Sequence, residues 1–374
     1  MALPLKDAFT ARAIGTAWDG YKASQALPPY LGRSFFGTQK KTGLDLKFIL
    51  GEDAVPRELK GSNFDAQAPL REGIGFKSIE QNMPFFRESY MVTEKEEQDY
   101  MTFMNSLDPS AANDVLTRIM KNPMNLISAA NIVPERMIWQ LLAPTDGVPK
   151  ITIAIDGDYS GKAYVIDYTS DSGSAYKATN FIDVTATSGS SASTTKWSAS
   201  ATATPIADLV AAQEQQIANH GQSLSTFAMN LKTWKQLVNA EDTKKQVLGA
   251  IAYNAGIAIK DADVKSFLLA NYGITVLVYN KIYASGTSTS TFIPDGIVSG
   301  IAQGVNRLGD VFYGTTPEER SGDLASGNLS IVETGVAVYT YTTNHPVNTH
   351  CVVSEIVLPS YENMNSVVVM KVDA

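Results

Sequence analysis

The chain has 374 residues, 44% of them hydrophobic and 18% charged, a globular composition with room for two or three domains of common size. Its formal net charge of −8 argues against a reader of nucleic acid, which carries a basic face. The lone Cys351 excludes an intrachain disulfide, and no window approaches the 18 apolar residues of a membrane span.

From the N-terminus, residues 1–33 read as an arm, with Pro4, the pair Pro28-Pro29 and scattered apolar side chains. Met1 to Ile14 holds no continuous apolar run of the signal-peptide kind, so the chain is expected to be made and assembled in a cytoplasm. From Gly37 to Phe76 the sequence reads as an extended hairpin. Leu44, Leu46 and Phe48 alternate with polar residues as in a half-buried strand, and Phe64 to Arg71 is a candidate return arm. These residues carry too few large apolar side chains for a core of their own. So long an excursion usually has a task, and a hairpin with unpaired edges invites pairing with another chain. Met83-Pro-Phe85-Phe86 is the expected anchor where the excursion rejoins the body.

Thr93-Glu-Lys-Glu96 is a capping box, predicting a helix to about Leu107. Asp108-Pro109 is a second start signal. Leu116, Ile119, Met120, Ile127, Ala130, Met137, Ile138 and Leu141 recur at near-helical spacing, giving one long segmented helix to about Pro144 that Pro123 and Pro134 should break or kink. Ile151–Ile155 and Ala163–Tyr168 form a hairpin. The Ser-, Thr- and Ala-rich tract 171–204 reads as a loop or insertion that docks back at Trp197. Beyond Pro205 the pattern turns to α/β. Helices are expected over Ile206–Asn219, Leu231–Val238, Asp242–Ile251 and Val264–Asn271, and strands over Ser225–Met229 and Ile274–Tyr279. Val336–Thr342, Cys351–Leu358 and Val367–Val372 read as strands in the last third.

No constellation for catalysis survives inspection. Gly221-Gln-Ser223-Leu-Ser225 lacks the second glycine of a hydrolase elbow, and Gly157–Ala163 is one residue short of a phosphate loop. His345, His350 and Cys351 lack the paired spacing of a zinc site. Asp156, Asp158, Ser160 and Asp167 have the oxygen spacing of a calcium loop. However, their flanks are strands, position twelve is Asp rather than Glu, and these residue types are also what a turn needs, so a plain turn is expected. Glu94, Glu96, Glu97 and Asp99 suit a helix N-terminus. Neither a metal nor a cofactor is expected.

Seven strings in order then carry a resemblance: Gly43-Leu-Asp-Leu-Lys47, Met83-Pro-Phe-Phe-Arg-Glu88, Pro134-Glu-Arg-Met137, Trp197 to Asp208, Phe292-Ile-Pro-Asp-Gly296, Tyr313-Gly-Thr-Thr-Pro-Glu318 and Leu358-Pro-Ser-Tyr-Glu362. Over nearly its whole length the chain resembles the lambda-like major capsid protein E family of tailed bacteriophages. The resemblance implies an α+β protein of the Hong Kong 97-like capsid fold. It divides the chain into an N-terminal arm (1–33), an extended β-hairpin loop (34–82), a peripheral domain with a long spine helix (83–170), the Ser/Thr-rich loop or insertion (171–198), an axial α/β domain (199–325), and C-terminal strands returning through peripheral to axial domain (326–374). It further implies a structural subunit that forms the pentamers and hexamers of an icosahedral head enclosing double-stranded DNA without sequence-specific contact. Its partners would be itself, scaffolding and portal proteins, and decoration proteins where present. Leu44, Leu46, Phe48, Phe64, Arg71, Phe85 and Phe86 are the candidate intersubunit contacts. Some relatives link a lysine to a neighbour's asparagine, but nothing local marks Lys40, Lys41, Lys47 or Lys60 as reactive. The alternatives are the shell of a non-viral compartment of the same fold and, more remotely, an α/β enzyme with an unrecognised site.

Overall fold

The computed structural model describes residues 9–24, 29–51, 76–104, 109–155, 162–169, 173–185, 196–254, 256–285, 288–321 and 327–373. The chain divides into two compact units. Unit 1 comprises residues 1–46, 80–136 and 310–360, and unit 2 comprises 47–79, 137–309 and 361–374.

Unit 1 begins with helix α1 (Ala11–Ser24), where the sequence predicts only an arm. Phe9, Ala11, Ile14 and Trp18 are all buried, and the last three stand three and four residues apart on one helical face. A short 3-10 turn, Gly32–Phe35, leads into β1 (Phe36–Lys40). Strands β2 (Asp45–Gly51) and β3 (Phe76–Asn82) pair with each other, and β4 (Phe85–Val92) follows. The capping box forms as read. The Thr93 amide donates to Glu96 Oε2 at 2.8 Å, the Glu96 amide donates to Thr93 Oγ1 at 3.4 Å, and α2 runs Glu94–Met104.

Helix α3 (Pro109–Leu142) is continuous through Pro123 and Pro134, so the expected breaks do not occur. Both prolines are buried. A helix this long with an apolar stripe is held by packing, which offsets the local cost of a missing amide donor. Later in the chain come β13 (Gly309–Tyr313), α9 (Pro317–Ser321), β14 (Leu329–Val332), β15 (Val336–Thr342) and the eleven-residue β16 (Thr349–Pro359). They form the order β1-β13-β16-β15-β14, with β4 also on β16. β16 has strands along both edges, and residues 351–359 are all buried rather than alternating. One sheet face carries Val336, Val338, Cys351 and Val353 onto Ile14, Trp18, Ile119 and Ile127. Each such side chain contributes about 1.5–3 kcal/mol by leaving water.

In unit 2 the hairpin β5 (Lys150–Ile155) and β6 (Lys162–Asp167) forms as predicted. The tract read as a loop from residue 171 is corrected in its first part. Gly173–Asn180 is helix α4, and Phe181–Asp183 is strand β7, parallel to β17 (Val367–Lys371). Asn180 fixes this junction by donating to the carbonyls of Asn365 and Val367 at 3.3 and 3.0 Å. Residues 186–195 of the tract lie outside the described residues. Trp197 does dock: it is fully buried, and its amide donates to Val372 O at 3.0 Å.

Helix α5 (Pro205–His220), β8 (Leu224–Met229), α6 (Leu231–Asn239), α7 (Glu241–Asn254), α8 (Asp261–Tyr272) and β9 (Thr275–Val278) complete the predicted α/β pattern. The hairpin β10 (Ile282–Ser285) and β11 (Ser288–Thr291) precedes the wholly buried β12 (Ile297–Ala302). The sheet order is β7-β17-β12-β8-β9, with β12 antiparallel to both neighbours and β8 parallel to β9. Trp197, Leu209, Phe227, Trp234, Leu268, Val298 and Met370 lie at its core.

Candidate assembly surface

Most of the strings that carry the resemblance turn out to be joints of local structure. Asn230 caps α6, its side chain accepting from the Thr233 amide at 2.8 Å, while its Nδ2 donates to Asp295 Oδ1 at 2.6 Å. The Gly296 amide in turn donates to Thr233 Oγ1 at 2.9 Å. Phe292–Gly296 is thus the clasp on the start of a helix. Trp197 Nε1 donates to the buried Asp208 at 2.8 Å. Burial pushes the Asp208 carboxyl up to about 6, against the opposing pull of the indole N–H. Ser360 closes on Asp310, donating its amide to the Asp310 carbonyl at 2.7 Å and accepting the Asp310 amide on Oγ at 2.9 Å. In unit 1, Glu318 is buried and accepts from Ser354 Oγ at 2.8 Å and from Arg87 at 3.1 Å.

The N-terminal turn is tied to α3 by a second buried carboxylate. Glu135 accepts the amides of Gly32 and Arg33 at 2.8 and 3.2 Å. The Arg33 guanidinium donates to the Asn131 carbonyl and side chain at 2.7 and 3.2 Å and lies over the Tyr30 ring. Sequence reasoning missed this cluster. Its signal is a glutamate on the apolar stripe of α3, beside Ile138 and Trp139.

The sheet face of unit 1 opposite the core is partly uncovered. Strand register places Phe85, Arg87, Ser89 and Met91 of β4 beside Ser354, Val352 and His350 of β16, with Tyr339 and Tyr341 of β15 beyond. Phe85, Met91 and Tyr341 are each about 40% exposed. His350 stacks on Tyr341 at 4.8 Å between ring centroids. A groove of about 500 Å³ opens here, lined by Arg87, Glu318, Tyr339, Tyr341 and Val352. Unit 2 exposes Ile251 on α7 and Ile282 on β10.

The candidate contacts fall into three groups. Leu44 is half exposed and Phe85 is exposed, with Phe86 intermediate. Leu46 is 1% exposed and already packed within its own chain. Gly43 holds φ 102°, and the strand begins at Asp45, so Leu44 lies just before β2 and Leu46 within it. Phe48 lies in β2, while Phe64 and Arg71 lie outside the described residues. Of the calcium-loop spacing, Asp156, Asp158 and Ser160 also lie outside them. Asp167 caps a turn instead, accepting the Thr169 amide and hydroxyl at 2.7 and 2.6 Å. Among the described residues no group of three metal-ligating side chains converges, and no helix is long and apolar enough to cross a membrane. Cys351 is buried, its thiol pushed up to about 12 by desolvation.

Comparison with known proteins completes the assignment. The fold is similar to that of a phage-related protein of Bordetella bronchiseptica RB50, with 12% identity, 97% of each chain covered and a TM-score of 0.52. A subunit of the cyanophage A-1(L) capsid matches at 15% identity over 92% of each chain, with a TM-score of 0.48. No curated protein matches. Phage major capsid protein E matches residues 19–372. The chain therefore belongs to the phage major capsid protein E family, with the Hong Kong 97-like fold, and is a structural, self-associating component of a virion capsid rather than an enzyme.

Proposed function

We propose that this chain closes an icosahedral phage head through rings of five and six subunits and encloses double-stranded DNA. The observation that carries the reading is the family match across residues 19–372, nearly the whole chain. Each contact between copies can be weak, because many are made at once. Residues 34–82 are the segment that overlaps a neighbouring copy, and the exposed apolar face around Phe85, Met91 and Tyr341 is a surface such a copy covers. The net charge of −8 supports enclosure of DNA without a firm grip on phosphate. A separate scaffolding protein and a portal act with it, and assembly takes place in the host cytoplasm.

The test is replacement of residues 52–75 by a short Gly-Ser linker, which leaves Leu46 and the described strands in place. The expected result is a folded subunit that no longer closes shells under conditions where the parent does. Shells that still close would overturn the role given to this segment.

A further inference from the structure

Between Lys245 and Lys260 the sequence holds no charged residue. One side of this run is anchored, since Val247 and Ile259 pack against the core of unit 2. The other side is not. Ile251 is 89% exposed, the highest value among the large apolar side chains described, and Ile257 is 56% exposed. Gly249, Asn254, Gly256 and Ala258 are exposed as well. Two glycines turn the chain here. Gly249, at φ 74° and ψ 161°, interrupts the helical backbone of α7, and Gly256 holds φ 71°. A Cβ at either position would meet nothing within 4 Å. The glycines therefore serve the course of the backbone and not close packing within this subunit, and the turn they make leaves two isoleucines in water.

We propose that the turn carrying Ile251 and Ile257 is a contact between copies of this chain, in which each copy packs these isoleucines on the same turn of its neighbours in a ring. The inference rests on the ring-forming reading given above and names a surface for it, separate from the β4–β16 face of unit 1.

The charges that border the turn favour a second copy as its occupant. Lys245 is bonded to Glu241 at 3.1 Å and lies over the Tyr253 ring, and Asp242 accepts from Gln246 at 2.7 Å. On the other side, Asp261 accepts from Lys235 at 2.9 Å, and Lys265 lies over the Trp234 ring. Lys260 and Asp263 are exposed, one of each sign. The chain thus engages most of these charges itself, and what it offers outward at the turn is aliphatic. A nucleic-acid backbone or an anionic lipid surface needs a cluster of cations at the contact. A second copy needs none. In a ring closed by rotation every copy brings the same segment to the same place, so a charge there meets its like, whereas an uncharged turn carries no such cost. The chain is a self-associating capsid subunit, and exposed isoleucines are surface that association removes from water.

The experiment compares full-length wild type with Ile251→Asp, Ile251→Lys and an equimolar mixture of the two variants, under conditions where wild type assembles. Sedimentation velocity and electron microscopy read the fraction of chain in rings and shells. Because Ile251 stands in water in the single subunit, neither charge disturbs a core. Each variant alone loses the buried isoleucine and sets like charges against one another, so association is expected to weaken at least about tenfold. In the mixture opposite charges alternate around the ring, and assembly is expected to return in part, which also shows that both variants are folded. Variants that assemble as wild type does would overturn the inference. So would a loss that mixing does not repair, because the turn would then face a different surface. A wild type that assembles into tubes or flat sheets would instead contradict the ring-forming reading on which the inference rests.

Discussion

Asp208→Asn isolates one electrostatic cost in unit 2. Asp208 is 2% exposed at the start of α5 and accepts one hydrogen bond, from the Trp197 indole. Burial raises it from 3.8 to about 6. Because the folded value lies above the unfolded one, the folded state binds more protons between them, and stability is lost as pH rises through about 6. The whole shift corresponds to about 3 kcal/mol, of which about 1 kcal/mol is lost between pH 5 and pH 7. Asparagine keeps an acceptor for the indole and cannot ionise. Urea denaturation of the unassembled subunit, followed by tryptophan fluorescence, should show the mutant gaining about 1 kcal/mol on wild type between pH 5 and pH 8. Loss of a carboxylate near a helix N-terminus offsets a few tenths of that. Other titrating groups, Glu355 among them, act in both proteins and cancel in the difference. Parallel stability profiles would refute the reasoning, because they would mean that Asp208 is ionised without penalty.

Two further substitutions probe local structure. Gly147 holds φ 78°, and a Cβ there would lie 2.4 Å from the Phe181 ring. Gly147→Ala should cost well over about 1 kcal/mol and lower the melting temperature, whereas an unchanged transition would contradict the packing described. Thr93→Ala removes the hydroxyl of the α2 capping box and should cost about 1 kcal/mol by chemical denaturation. No change would place the start of α2 elsewhere.

What could be read in the sequence was local. Thr93 and Glu96 stand at capping-box spacing and form the box. The stripe from Leu116 to Leu141 predicts a long helix and lies in one. What escaped depends on distant partners. Strand β7 has three residues and exists because Val369–Lys371 pair with it from far along the chain. Helix α1 carries its signal in Ala11, Ile14 and Trp18, but Gly15 and Gly20 dilute the helical propensity around them. Pro123 and Pro134 are break signals in the sequence, yet one helix runs through both, because its buried stripe offsets the missing donors. Glu135 and Glu355 are glutamates at core-facing positions of a helix and a strand. That mismatch between residue and pattern is visible in the sequence, but the amides that donate to Glu135, and the lack of a donor to Glu355 among the described residues, are not.

The most direct test of the capsid assignment is electron microscopy of the purified protein, concentrated at low and high salt. The account expects closed polyhedral shells, or isolated rings with five- and six-fold symmetry. Tubes or flat sheets in place of closed shells and rings would contradict it.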